Sequence, residues 1–183
     1  MKTKLILVLA SMTLVTIAYF FVKCTPATFL LEDVDTTKQI SPLFENLGTH
    51  SYTISTKNES AQQFFNQGLR HAYGFNHAEA HRSFMEASRL DPNAAMTYWG
   101  QAYVLGPNIN DPMPDETRKK KYNEAIAKAK SLIKKASPKE QVLINALTHR
   151  YSSDLTKDVA ELNMNYMKAM TGVVAKYPND TDI

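Results

Sequence analysis

The sequence predicts an all-α protein, a stack of helix hairpins behind an N-terminal apolar segment. Three observations carry that expectation. From residue 56 onward, apolar residues recur at three- and four-residue spacing. Six Gly and eight Pro are few, and they fall mostly between the periodic segments. A lone hairpin cannot bury its apolar face, so hairpins must stack. The 183 residues suffice for one ordinary domain. Lys plus Arg is 21 and Asp plus Glu is 18, a net charge of only +3, which argues against a nucleic-acid binder. With 44% hydrophobic and 21% charged residues, the chain is neither disordered nor fibrous. A single cysteine, Cys24, excludes an intramolecular disulfide framework, a zinc finger and a CxxC pair.

Residues 1–23 read as a signal sequence or membrane anchor. Lys2 and Lys4 precede an apolar run over 5–22. Such a run reaches the spanning range of about 17–25 residues, and the lysines place its start in the cytoplasm. The chain beyond it is therefore expected outside the cytoplasm, with the membrane reached through 5–22. Three fates stay open: retention as an anchor, cleavage after Ala27, and lipidation at Cys24, which Lys23 beside the cut fits poorly. Residues 24–55 read as a spacer. Glu32, Asp33 and Asp35 make it acidic, and Pro26, Pro42 and Gly48 interrupt any period. Leu43, Phe44 and Leu47 are the residues expected to dock on the domain.

Residues 56–183 form the helical domain, in hairpins over 56–93, 94–137 and 138–178. Thr56 and Glu59 have the spacing of a capping box. Phe64, Phe65, Leu69 and Tyr73 continue the period, and Gly74 is the expected left-handed stop. Asn76 and Glu79 repeat the cap, Ala80, Phe84, Ala87 and Leu90 form the next stripe, and Asp91-Pro92 ends it. A third helix runs over about 94–105, followed by a loop over 106–114. Further helices are expected over 115–136, 138–151 and 157–176, with Pro178 closing the last.

In a 34-residue window opened at Ala61, Gly68 falls at position 8, Ala80 at 20, Phe84 at 24, Ala87 at 27 and Pro92 at 32. This pattern resembles the tetratricopeptide (TPR) repeat. The small residues let helices approach, Phe84 fills the gap between them, and Pro92 ends helix B. The segment from Gly68 to Asn110, with its YGFNHAEA and YWGQAYVLGPNIN stretches, is similar to a subgroup of exported bacterial TPR proteins. Some of those carry cysteines where Ala94 and Thr97 stand here. The resemblance implies a right-handed TPR-like solenoid of about three hairpins. It also implies a chain that is an N-terminal fragment of a longer array. The groove of such a fold is lined by helix A, which here brings together Gln62 and the six apolar or aromatic residues Phe65, Leu69, Tyr73, Met96, Trp99 and Tyr103. These would anchor a peptide or protein partner, or else pack against residues 43–55 or a neighbouring repeat.

The expected function is therefore a non-enzymatic, envelope-tethered interaction scaffold. The alternative is a metal- or cofactor-linked module of an exported redox system. It would use His71, His77 and His81, of which the last two are four residues apart on a helix. His81 is otherwise expected to be solvated. The chain holds no nucleophile elbow, P-loop, dinucleotide fingerprint or HExxH, and no cofactor is expected. The basic run from Arg118 to Lys121 reads as a solvated face, without the interleaved aromatics of a nucleic-acid surface.

Overall fold

The structure, a computed structural model, describes residues 34–183. The apolar run 5–22, Cys24 and the cut after Ala27 lie outside the described residues. The described residues carry six α-helices: α1 (Glu59–Tyr73), α2 (His77–Leu90), α3 (Ala95–Leu105), α4 (Glu116–Ser131), α5 (Pro138–Thr148) and α6 (Val159–Lys176). No strand occurs among them, so the protein is all-α over this range. None of these helices is long and apolar enough to cross a membrane.

Polar caps set most boundaries. Asn76, Asp115 and Asp158 each accept a first-turn backbone N–H at the start of α2, α4 and α6. Ser137 and Glu140 form a full capping box at α5, with Pro138 at its first position. Two expectations at α1 need correction. Its cap is Asn58, whose Oδ1 accepts from Ala61 N at 3.0 Å. Thr56 instead donates to Asp91 Oδ2 at 2.5 Å, clipping the start of α1 to the end of α2. At the other end Gly74 keeps a negative φ, and the left-handed residue is Phe75, at φ 59°. The helix expected over 115–136 is also broken: α4 stops at Ser131 and a short 3-10 helix follows over Ile133–Lys135.

Each helix packs on its successor, and α1 also reaches α3, as α3 reaches α5. At the centre of the first three helices lies the ring of Phe84, fully buried. A Cβ added to Gly68 of α1 would stand 2.6 Å from that ring, and one added to Gly100 of α3 would stand equally close on it. Both glycines are there because the ring leaves no room for a side chain. Ala80 and Ala87, fully buried on the same helix as Phe84, keep the neighbouring helices near, while Pro92 sits exposed at the turn. Phe65 meets Phe84 at a centroid distance of 5.3 Å.

Residues 34–58 are not a free tether. Ser41, Tyr52 and Ile54 are buried; of the residues expected to dock, Leu47 is half-buried, and Leu43 and Phe44 are exposed at 49% and 43%, with the Phe44 ring still in contact with His71. The C-terminal residues fold back beside it: Asp182 accepts from Tyr73 OH at 3.0 Å and faces His50 Nε2 at 2.9 Å, and Asp180 pairs with Lys139 at 2.7 Å.

Adding a methyl at Gly68 forces the ring against Gly100, which cannot yield. Overpacking of about 1–3 kcal/mol then exceeds the roughly 1 kcal/mol that Ala gains over Gly in a helix. Gly68→Ala should therefore lower stability in urea unfolding. In a Phe84→Leu background, where the ring is gone, the same change should be neutral or stabilising.

Candidate functional site

Two surfaces converge on α1. The first is a row of side-chain amides that holds the irregular segment 40–55. The Gln62 carboxamide donates to Tyr52 O at 2.8 Å and accepts from Ile54 N at 2.9 Å, bracketing Thr53. The Gln67 carboxamide does the same around Leu43, donating to Pro42 O and accepting from Phe44 N, both at 2.8 Å. Asn66 Oδ1 accepts from Tyr52 N at 3.1 Å, and Arg70 Nε donates to His50 O at 2.7 Å. A carboxamide offers one donor and one acceptor side by side, as the edge of a strand does. These contacts address main-chain groups and are indifferent to the side chains between them.

Two buried carboxylates finish the seating. Glu86 of α2 accepts from Ile40 N at 2.8 Å and pairs with Arg89 at 2.6 Å. The Arg89 guanidinium, with the Ile40 N–H helping, holds its carboxyl below the usual range despite burial. Glu140 of α5 accepts from Ser55 N and from Ser137 N, each at 2.6 Å, and from the Ser55 hydroxyl.

The second surface is a cleft of about 380 Å³ beside the α1–α2 turn, lined by Ala72, Tyr73, Phe75, His77, Tyr103, Pro107, Asn108 and Arg150. The loop after α3 forms one wall, and two arginines fix it. Arg118 donates to the carbonyls of Leu105 and Gly106 and pairs with Asp111. It is buried, so this member of the basic run is a structural bolt and not part of a solvated face. Arg150 Nη2 donates to Pro107 O at 2.7 Å. Tyr151, buried, donates to Ala102 O at 2.7 Å and lies so close to Gly106 that no Cβ fits there.

The six residues expected in a groove divide between core and cleft. Phe65, Leu69 and Met96 are buried core, because their positions on α1 and α3 turn toward the Phe84 ring and the helix interface. Tyr73 and Tyr103 line the cleft. Trp99 is half-buried and stacks on Tyr103, centroids 5.1 Å apart and planes 5° from parallel.

The three histidines do not converge on a metal. Among the described residues no group of three or more His, Cys, Asp or Glu side chains could hold an ion. His71 is buried against the edge of Phe44, at 5.6 Å. His77 lines the cleft, and both its ring nitrogens are buried without a hydrogen-bond partner. His81 is buried, not solvated; burial, then Lys121 and Arg82, pushes its imidazole down to about 4. Burial also lowers His71 and His77. The residues that sequence reasoning missed are Asn66, Gln67, Phe75 and Arg150. An amide stripe at 62, 66 and 67 and the alternation of Tyr52 and Ile54 among polar neighbours were the available signals.

Compared with known proteins, the chain matches no family model, no curated protein and no solved structure.

His81 binds a proton at about pH 6.5 when unfolded and near 4 when folded. The unfolded state then holds more protons in that window, so stability is full above pH 6.5 and falls as the pH drops toward 4. The loss should approach about 3 kcal/mol, and His81→Gln should flatten it. Urea midpoints at pH 7.5, 5.5 and 4.5 measure the slope.

Removing the Gln67 carboxamide takes the acceptor from the Phe44 N–H and a donor from the buried Ser83 and Ser41 hydroxyls, which keep their own bonds to Glu79 O and Pro42 O. Gln67→Ala should cost about 2–3 kcal/mol and expose residues 40–50 to limited proteolysis ahead of global unfolding.

Proposed function

We propose that this protein is a non-enzymatic interaction scaffold. Its helices form a TPR-like right-handed solenoid of three hairpins, and it holds a peptide segment along α1. One observation carries the reading: Gln62 and Gln67 each grip the main chain of an irregular segment by the same paired contact. Affinity for main chain with little demand on side chains suits a module that receives segments of varied sequence. The contacts of α1 with α3 and α3 with α5 support a row of first helices, as a solenoid has. The close fit of Gly68 and Phe84 supports the TPR-like spacing. Lys2, Lys4 and the apolar run 5–22 support tethering at a bacterial envelope membrane.

On this reading the chain's own residues 40–55 occupy the receiving face, and a partner segment competes with them. The test loosens the resident segment without touching the face. Phe44→Pro removes the N–H that Gln67 accepts. A labelled peptide of residues 38–57, added in trans to the full chain, should bind the Phe44→Pro variant at least tenfold more tightly than the wild type by fluorescence anisotropy. Absence of binding to both would show that the face only staples its own chain.

A further inference from the structure

The cleft beside the α1–α2 turn holds features that neither the helix packing nor the seating of residues 40–55 uses. Its volume, about 380 Å³, suits one ring-bearing molecule. Tyr73, Phe75, Tyr103 and Pro107 give it apolar walls. His77 contributes two buried nitrogens that the protein leaves unpaired. Buried polar atoms in folded proteins are paired, so this imidazole points to a bound molecule that completes it. Arg150 supplies the charge. It donates to Pro107 O at 2.7 Å and Asn163 Oδ1 at 3.2 Å, and no ion pair among the described residues neutralises it. Phe75 adds an independent sign. It takes the left-handed φ of 59°, which bulky residues avoid, yet the residue is 66% exposed at the cleft. Gly74, one residue earlier, would have taken that conformation without cost. Burial of the ring does not offset the strain, and strain of this kind gathers where ligands bind.

The geometry points to a binding site for a planar ring that carries a carboxylate. The ring lies among Tyr73, Phe75 and Tyr103, the carboxylate meets the Arg150 guanidinium, and the N–H of the His77 imidazole donates to it as well. The site is separate from the amide face of α1, and the inference does not rest on the scaffold reading.

Trp99 is the chain's one tryptophan and stacks on Tyr103, so its fluorescence reports on the cleft. The full chain is titrated with 3-phenylpropionate and with its neutral amide, 3-phenylpropionamide. The acid should give a saturable change, and the amide should bind at least tenfold more weakly. Phe75→Gly, at an exposed position, should weaken the acid at least tenfold without lowering Tm. The peptide Gly-Gly-Phe, with a free and with an amidated C-terminus, separates two sources of the same chemistry. Tighter binding of the free peptide than of 3-phenylpropionate identifies a chain end as the natural source; weaker binding identifies a free aromatic acid. No saturable signal, equal binding of acid and amide, or indifference to Phe75→Gly would each overturn the inference.

Discussion

The ring of Phe84, held between Gly68 and Gly100, is the contact on which the rest of the structure depends. It sits on α2 and touches both helices that flank α2, so one side chain sets two spacings. A packed interior responds to such a wedge as a solid does: neither glycine can gain an atom, and the ring cannot lose one without leaving a void. Because α1 is placed by this ring, everything α1 carries is placed with it. Gln62, Asn66 and Arg70 lie on its half-buried side, Gln67 lies against α2, where it bonds Ser83, and Tyr73 lies at its end.

That placement explains why a segment without regular structure can lie along a helix. Backbone N–H and C=O groups removed from water need partners. Residues 40–55 form no regular structure of their own, and side chains take over: two carboxamides, an asparagine, an arginine and the carboxylates of Glu86 and Glu140. Buried carboxylates would be costly alone, but each here collects two or more donors, which offsets the loss of water. The same logic singles out the cleft. There His77 has no such partners, and the loop carrying Pro107 and Asn108 is pinned by Arg118 and Arg150 into a fixed wall.

The helices were legible because their signals are local. Period, caps and the Asp91-Pro92 stop depend on neighbours in sequence, and the starts of α2 and α5 follow from Asn76 and Ser137. The close fit of Gly68 and Phe84 was legible because a small residue on one helix and a large one on the next stand at the spacing of a helix hairpin. What failed was long-range. Thr56 has the spacing of a capping box, but Asp91, 35 residues away, takes its hydroxyl, and Asn58 caps instead. Residues 40–55 look like a tether because their anchors are polar main-chain groups, which leave no hydrophobic trace. Phe75 was overlooked for a different reason: a glycine beside a helix end is the ordinary left-handed residue, and here its neighbour takes that role. Helical spacing put Phe65, Leu69 and Met96 on one face but could not say that another helix covers it.

The central claim is that α1 recognises main chain. Hydrogen exchange on the full chain, followed at single amides, tests it most directly. The amides of Phe44, Tyr52 and Ile54 each meet one side-chain oxygen of α1. They should exchange far more slowly than in a free peptide, and Gln62→Ala should release Ile54 while leaving Phe44 protected. Free-peptide exchange rates at all three amides in the wild type would contradict the account.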